Sequence, residues 1–140
     1  MIECRTMAGA ERFDAFALMK HFHEESALGD ALALFVDRPD YGFVWLAYDD
    51  GIPAGCVSVS FAISTETGGL AASLDDLWVA QDRRRRGIGS ALLATLHGRL
   101  DQLQVTQIKA TIPPDPALRA FFASLKYADA EVVGATLKRR

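Results

Sequence analysis

The chain has 140 residues, a formal charge of −3, 50% hydrophobic residues and 24% charged ones. That is the length and balance of one globular domain with a core of its own, not of a disordered chain, and the negative charge gives no reason to expect a nucleic-acid partner. Cys4 and Cys56 stand far apart with no Cys-x-x-Cys or His-rich neighbourhood, which excludes a zinc motif or a disulfide framework. No run approaches the roughly 18 apolar residues of a membrane span. The opening MIECRTMAGAERFD also lacks the charged-then-apolar order of a signal peptide. A cytoplasmic domain over residues 1–140, with no metal and no membrane contact, is expected.

In chain order, Ile2–Met7 predicts a strand, and residues from about Glu11 to His23 fall at helical spacing. A second helix is expected over Ala27–Val36, stopped by the turn-rich Arg38-Pro39-Asp40-Tyr41-Gly42. Gly42–Tyr48 and Gly55–Ile63 are aromatic and β-branched, and the Asp49–Pro53 loop between them makes a hairpin. Leu70–Val79 follows as a long strand. Ile88, Ala91, Leu92, Leu96, Leu100 and Leu103 then form the best helical stripe in the chain, over Gly87–Leu103. Gln107–Ile112 reads as a strand. Pro116–Leu125 reads as a helix with Asp115 at its N-cap, and Val132–Leu137 as a last strand. The order β-α-α-β-β-β-α-β-α-β describes a mixed α/β (α+β-like) sheet with helices on both faces.

The informative stretch runs Leu74-Asp75-Asp76-Leu77-Trp78-Val79, then Ala80-Gln81-Asp82, then Arg83–Leu93 (RRRRGIGSALL). Gly87 and Gly89 stand where a loop becomes a helix, so backbone N–H groups are open to an anion at the positive end of the helix dipole. There is no Gly-Lys-Ser/Thr, and Leu92 occupies the position of a third dinucleotide-type glycine. Alone, such a Gly-x-Gly is equally a tight helix start, and four arginines in a row are equally a solvated turn.

The stretch Arg84-Arg85-Arg86-Gly87-Ile88-Gly89, four residues after a strand ending in Val79, resembles the acetyl-CoA motif of the GNAT superfamily of N-acetyltransferases. The order of elements is similar over nearly the whole chain. The resemblance implies a single GNAT domain with a mostly antiparallel mixed sheet. It implies that backbone N–H groups from Arg84 to Ser90 (Arg84, Arg85, Arg86, Gly87, Ile88, Gly89, Ser90) hold the CoA pyrophosphate. It also implies that Leu77, Trp78 and Val79 pair with the pantetheine arm, with the N–H near Val79 polarising the thioester carbonyl. One or two of the arginines are expected on the 3′-phosphate. Homodimers are common among relatives.

Acetyl transfer to an alkyl ammonium requires a base, because only about one such amine in a few thousand is neutral at pH 7. Asp75 and Asp76 are adjacent on a predicted strand, so their side chains take opposite faces unless a bulge intervenes. Either is equally a structural carboxylate. Leu-Asp-Asp-Leu-Trp-Val is similar to the corresponding strand of the polyamine and thialysine acetyltransferases. That likeness implies Asp75 as base through a water, Asp76 as second candidate, and a small amine acceptor.

The family's usual tyrosine acid is replaced here by Phe122, and its Gly-Phe by Lys126-Tyr127. This departure keeps open an alternative, a GNAT-fold acyl-CoA-binding module serving as sensor or partner subunit. His21 and His23, two apart on a predicted helix, do not share a face. Glu24, Glu25 and Glu66 read as solvated surface or as an acidic mouth.

Overall fold

The computed structural model describes residues 1–139. Five strands, β1 (Ile2–Thr6), β2 (Gly42–Asp49), β3 (Ile52–Ser64), β4 (Gly69–Val79) and β5 (Val105–Ala110), form one sheet in that order. The first four pair antiparallel and β5 joins β4 in parallel. The helices are α1 (Arg12–Met19), α2 (Glu25–Asp37), α3 (Ile88–Gln102) and α4 (Pro116–Ser124). This is the expected mixed α/β architecture.

β2 is buried along its whole length, and its alternation sorts two cores. Phe43, Trp45 and Ala47 face one layer with Ile88, Leu92, Leu93, Leu96 and Leu100 of α3 and Phe122 of α4. Val44, Leu46 and Tyr48 face the other, with Ala15, Leu18 and Met19 of α1 and Leu28 and Leu32 of α2. Polar tips anchor both layers. Trp45 Nε1 donates to Thr95 Oγ1 on α3 at 3.0 Å, and Tyr48 Oη donates to Asp14 on α1 at 2.8 Å.

The first helix stops at Met19, short of the expected His23. Glu24 is the reason. Its carboxylate accepts from the N–H groups of Ser26 and Ala27, at 3.0 Å each, and so begins α2. His21 and His23 therefore lie in the loop between α1 and α2, not on a helix. Asp115 caps α4 as expected, accepting from Ala117 N–H at 2.9 Å.

The strand expected over Val132–Leu137 does not form. Val132, Val133 and Leu137 are 80%, 100% and 82% exposed, so the segment buries no apolar face on the sheet that would hold it as a strand.

α4 ends in a six-residue loop closure: Tyr127 N–H donates to Phe122 C=O at 3.1 Å and Lys126 N–H to Ala123 C=O at 3.0 Å. The Tyr127 and Phe122 rings meet edge-on at 5.0 Å across it. Lys126 carries the left-handed backbone of that closure, φ +74°, a conformation that costs an L-residue about 1–2 kcal/mol. Lys126→Gly is expected to stabilise the fold by about 1 kcal/mol, seen as a higher urea midpoint at unchanged m-value. A lower midpoint would show that the lysine side chain contributes more than its backbone strain costs.

Candidate functional site

β4 carries the site because its pairing changes partway along. β5 accompanies it from Leu70 only to Leu74, whose carbonyl accepts the last bond from Thr111 N–H at 3.2 Å. β3 accompanies it to Val79. The edge from Asp75 to Val79 is thus without a β5 partner. On the other side, Cys56 pairs with Trp78 and Ser58 with Asp75. One residue of β3, Val57, therefore opposes two of β4, Asp76 and Leu77. This is a β-bulge, and Asp76 takes its left-handed position at φ +57°.

The bulge reverses the parity of the strand. Before it, Ala72 and Leu74 face the α3 core; after it, Leu77 and Val79 do, while Trp78 turns to the α1/α2 side. Asp75 and Asp76, instead of parting, share the α1/α2 face. Asp76 Oδ1 lies 2.8 Å from His23 Nε2, and Ser58 Oγ donates to Asp76 Oδ2 at 3.2 Å. A carboxylate only accepts, so Nε2 carries the proton in this bond. Asp75 is the more open of the two, yet partial burial, and then the charge of Asp76, push its carboxyl above the ordinary value, with His23 pulling the other way. Cys56 lies beneath, fully buried, its thiol 3.5 Å from the Asp76 carbonyl and pushed up to about 12 by burial. Such a thiol supplies no thiolate nucleophile.

Over the same face lies the α1–α2 loop. Phe22 meets the Trp78 ring edge-on at 5.3 Å, and His21 lies 5.6 Å from it. Arg84 stacks on Trp78 at 4.6 Å and donates from Nε to the Val79 carbonyl at 3.0 Å. The arginine run divides in its roles: Arg83 and Arg86 both reach the buried Asp49, at 3.0 and 3.4 Å. Arg85, exposed and left-handed at φ +66°, has no ion pair among the described residues.

α3 begins differently from α2 and α4, which are capped by their own carboxylates. Its N-cap is Gly87 at φ +78°, with no side-chain cap. The N–H groups of Ile88, Gly89 and Ser90, in the first turn of α3, have no partner within the helix, whose first bond runs from Ala91 N–H to Gly87 C=O at 3.0 Å. Buried Ile88 seats the turn on the sheet beside Gly55, where a Cβ would come within 3.3 Å of it. Left-handed residues at 85 and 87 give a concave run of donors at the positive end of a 15-residue helix. Its chemistry fits a pyrophosphate.

The sequence model described as the acetyltransferase (GNAT) family matches residues 10–127. The chain belongs to the GNAT family. It is therefore an acyltransferase that uses acetyl-CoA. No curated protein sequence matches it, but solved structures do. The aminoglycoside acetyltransferase AAC(6′)-Iy, solved with a bisubstrate analogue of CoA, is 18% identical with a TM-score of 0.84, covering 100% of this chain and 99% of its own. A ribosomal-protein-alanine N-acetyltransferase from Brucella melitensis biovar Abortus 2308 is 16% identical with a TM-score of 0.78, covering 99% of each chain. An integron cassette protein from the Cole Harbour Salt Marsh metagenome is 21% identical with a TM-score of 0.85, covering 98% and 91%. At these identities the likeness is one of fold.

Within this GNAT domain the residues singled out from sequence gather at one end of β4, and His23 joins them unforeseen. Its signal was Glu24, a capping residue that ends the first helical period early. Glu24 caps α2, and Glu66 accepts from Gln107 at 3.2 Å; both side chains are exposed. Phe122 is buried in the α3 core. The nearby hydroxyl, Tyr127, bonds His97 at 2.7 Å, about 13 Å along α3 from its N-terminus at 1.5 Å per residue.

The two glycines make opposite demands. At Gly87 a Cβ meets nothing, but the left-handed φ strains it; at helical Gly89 a Cβ meets Val79 and Phe121 at 3.8 and 3.9 Å, ordinary contacts. Gly87→Ala is expected to destabilise by about 1–2 kcal/mol, and Gly89→Ala to be neutral or to stabilise by up to about 1 kcal/mol. Equal losses in thermal melts of the two variants would contradict this.

Proposed function

We propose that the protein acetylates the primary amine of a small cationic acceptor, polyamine-like or lysine-like, by direct attack in a ternary complex. The observation that carries this reading is the bulge, which brings Asp75 and Asp76 to one face beside a strand edge released from its neighbour. The N–H groups of Arg84–Ser90 hold the pyrophosphate, Arg85 is free to meet the 3′-phosphate, and the edge from Leu77 to Val79 pairs with the pantetheine arm. These contacts set the thioester carbonyl beside β4, where the backbone N–H near Val79 polarises it.

Asp75 takes one proton from the ammonium through a water. The freed amine nitrogen forms its bond to the thioester carbon, and the C–S bond breaks. The second amine proton leaves for solvent as the amide forms, and CoA departs as a thiolate. Its sulfur resembles a cysteine thiol, with a pKa of about 8.5, so water suffices to protonate it, which accommodates Phe122 and the distant Tyr127. The buried Cys56 thiol supports transfer without an acyl-enzyme. The acidic pair favours a cationic acceptor. The aminoglycoside acetyltransferase structures, whose acceptors bear several amines, are in keeping with that chemistry.

The test is CoA release from acetyl-CoA against diamines, thialysine, aminoglycosides and an alanine-initiated peptide. Asp75→Asn is expected to lower kcat about 100-fold with the Kd for acetyl-CoA unchanged. Release on peptide alone would overturn the acceptor class, and full activity in the variant would overturn Asp75 as base. The substitution should also raise the melting temperature at pH 7. The carboxyl of Asp75 is raised above its ordinary 3.8, so its contribution to stability is fully present below that value and lost as pH rises through the folded one. Asparagine, carrying no charge, removes that loss.

A further inference from the structure

The α1–α2 loop brings one titratable group into the carboxylate pair that the transfer reaction above does not employ. His23 reaches β4 from 53 residues away in sequence, and its Nε2 donates to Asp76 Oδ1 at 2.8 Å. Asp76 is held on its other oxygen by Ser58 Oγ at 3.2 Å, and its backbone is fixed in the left-handed bulge. All three restraints act on a side chain next to Asp75, whose own carboxyl carries no hydrogen bond to a neighbouring side chain among the described residues.

We infer that His23 is a positioning residue for acetyl transfer, which fixes Asp76 and thereby sets how much negative charge stands beside the base Asp75. The inference rests on the reading of Asp75 as base. Without His23, Asp76 keeps only the serine bond and presents its full charge to Asp75. The imidazole N–H, by contrast, bonds one oxygen of Asp76 and offsets part of the negative charge that the pair presents.

Among the described residues, β4 gives the cluster Asp75 and Asp76, and the loop His23. From β3 come the Ser58 hydroxyl and the Cys56 thiol, the latter pushed up to about 12 by burial. His21 and Arg84 lie against the Trp78 ring. Burial and Asp76 raise the Asp75 carboxyl while His23 lowers it. Removing the imidazole therefore moves the Asp75 titration to higher pH, and with it the acid limb of kcat/KM.

The experiment compares wild type, His23→Gln and His23→Ala in two measurements. The first is the carboxyl-carbon NMR titration of Asp75, which needs no turnover. The second is kcat, KM and their pH profiles with acetyl-CoA and the best amine of the panel.

Both variants are expected to raise the Asp75 midpoint. His23→Ala should lower kcat about tenfold with KM for acetyl-CoA unchanged. His23→Gln, whose amide N–H can still bond Asp76, should recover most of kcat at high pH but not the wild-type acid limb. An unchanged midpoint together with an unchanged profile would overturn the role of His23 while leaving the transferase reading intact. A shifted midpoint in a protein that releases no CoA on any amine would instead overturn the transferase reading, and the inference with it. Equal loss in both variants, with a raised acetyl-CoA KM, would assign His23 to holding the loop and not to tuning Asp75.

Discussion

A single extra residue in β4 sets the arrangement of the candidate site. Where Val57 faces both Asp76 and Leu77, the strand changes which of its residues look toward each helical layer. An aspartate in the left-handed region costs on the order of 1–2 kcal/mol, although the short side chain suits it better than most residues. The hydrogen bonds from Ser58 and His23 offset that strain at its source. The bulge lies just past the last bond between β4 and β5, so the irregular stretch of strand and the released edge are the same stretch. An ideal strand here would turn both Asp76 and Trp78 toward the α3 core.

The two cores make this local defect tolerable. β2, buried on both faces, ties α3 to one layer and α1 with α2 to the other. Neither layer depends on the end of β4 for its bulk. The pieces that meet there are a loop between α1 and α2, a turn of arginines, and the start of α3. Each is held by its own device: the cap at Glu24, the buried Asp49 beneath Arg83 and Arg86, and Ile88 against Gly55. The packed layers carry most of the buried apolar surface, and the pieces that meet at the end of β4 are positioned by these local contacts.

Much of this was legible in the residues. The α3 stripe, the Asp115 cap and the position of Gly87 each follow from local rules that tertiary packing did not override. The bulge was open as a possibility, since the apolar phase slips from Leu74 to Leu77 across the two aspartates, but only the pairing of β3 with β4 decides it. His23 was missed for a related reason. Apolar spacing runs on past Met19, and a capping glutamate outweighs it only once its carboxylate is seen to turn back onto Ser26 and Ala27. The Val132–Leu137 segment errs in the other direction. It has the alternation of a strand, but strand formation is decided by the neighbour and not by the segment.

The surface proposed to hold the pyrophosphate, from Arg84 to Ser90, is made of main-chain N–H groups. A surface of peptide groups has no side chain to lose, so drift in sequence erodes it only where the path of the chain itself changes. Selection on such a surface falls on a few torsion angles, at Gly87 above all, and leaves the identities around them free to wander. Chains that share fewer than one residue in five with this one keep the same outline over their full length.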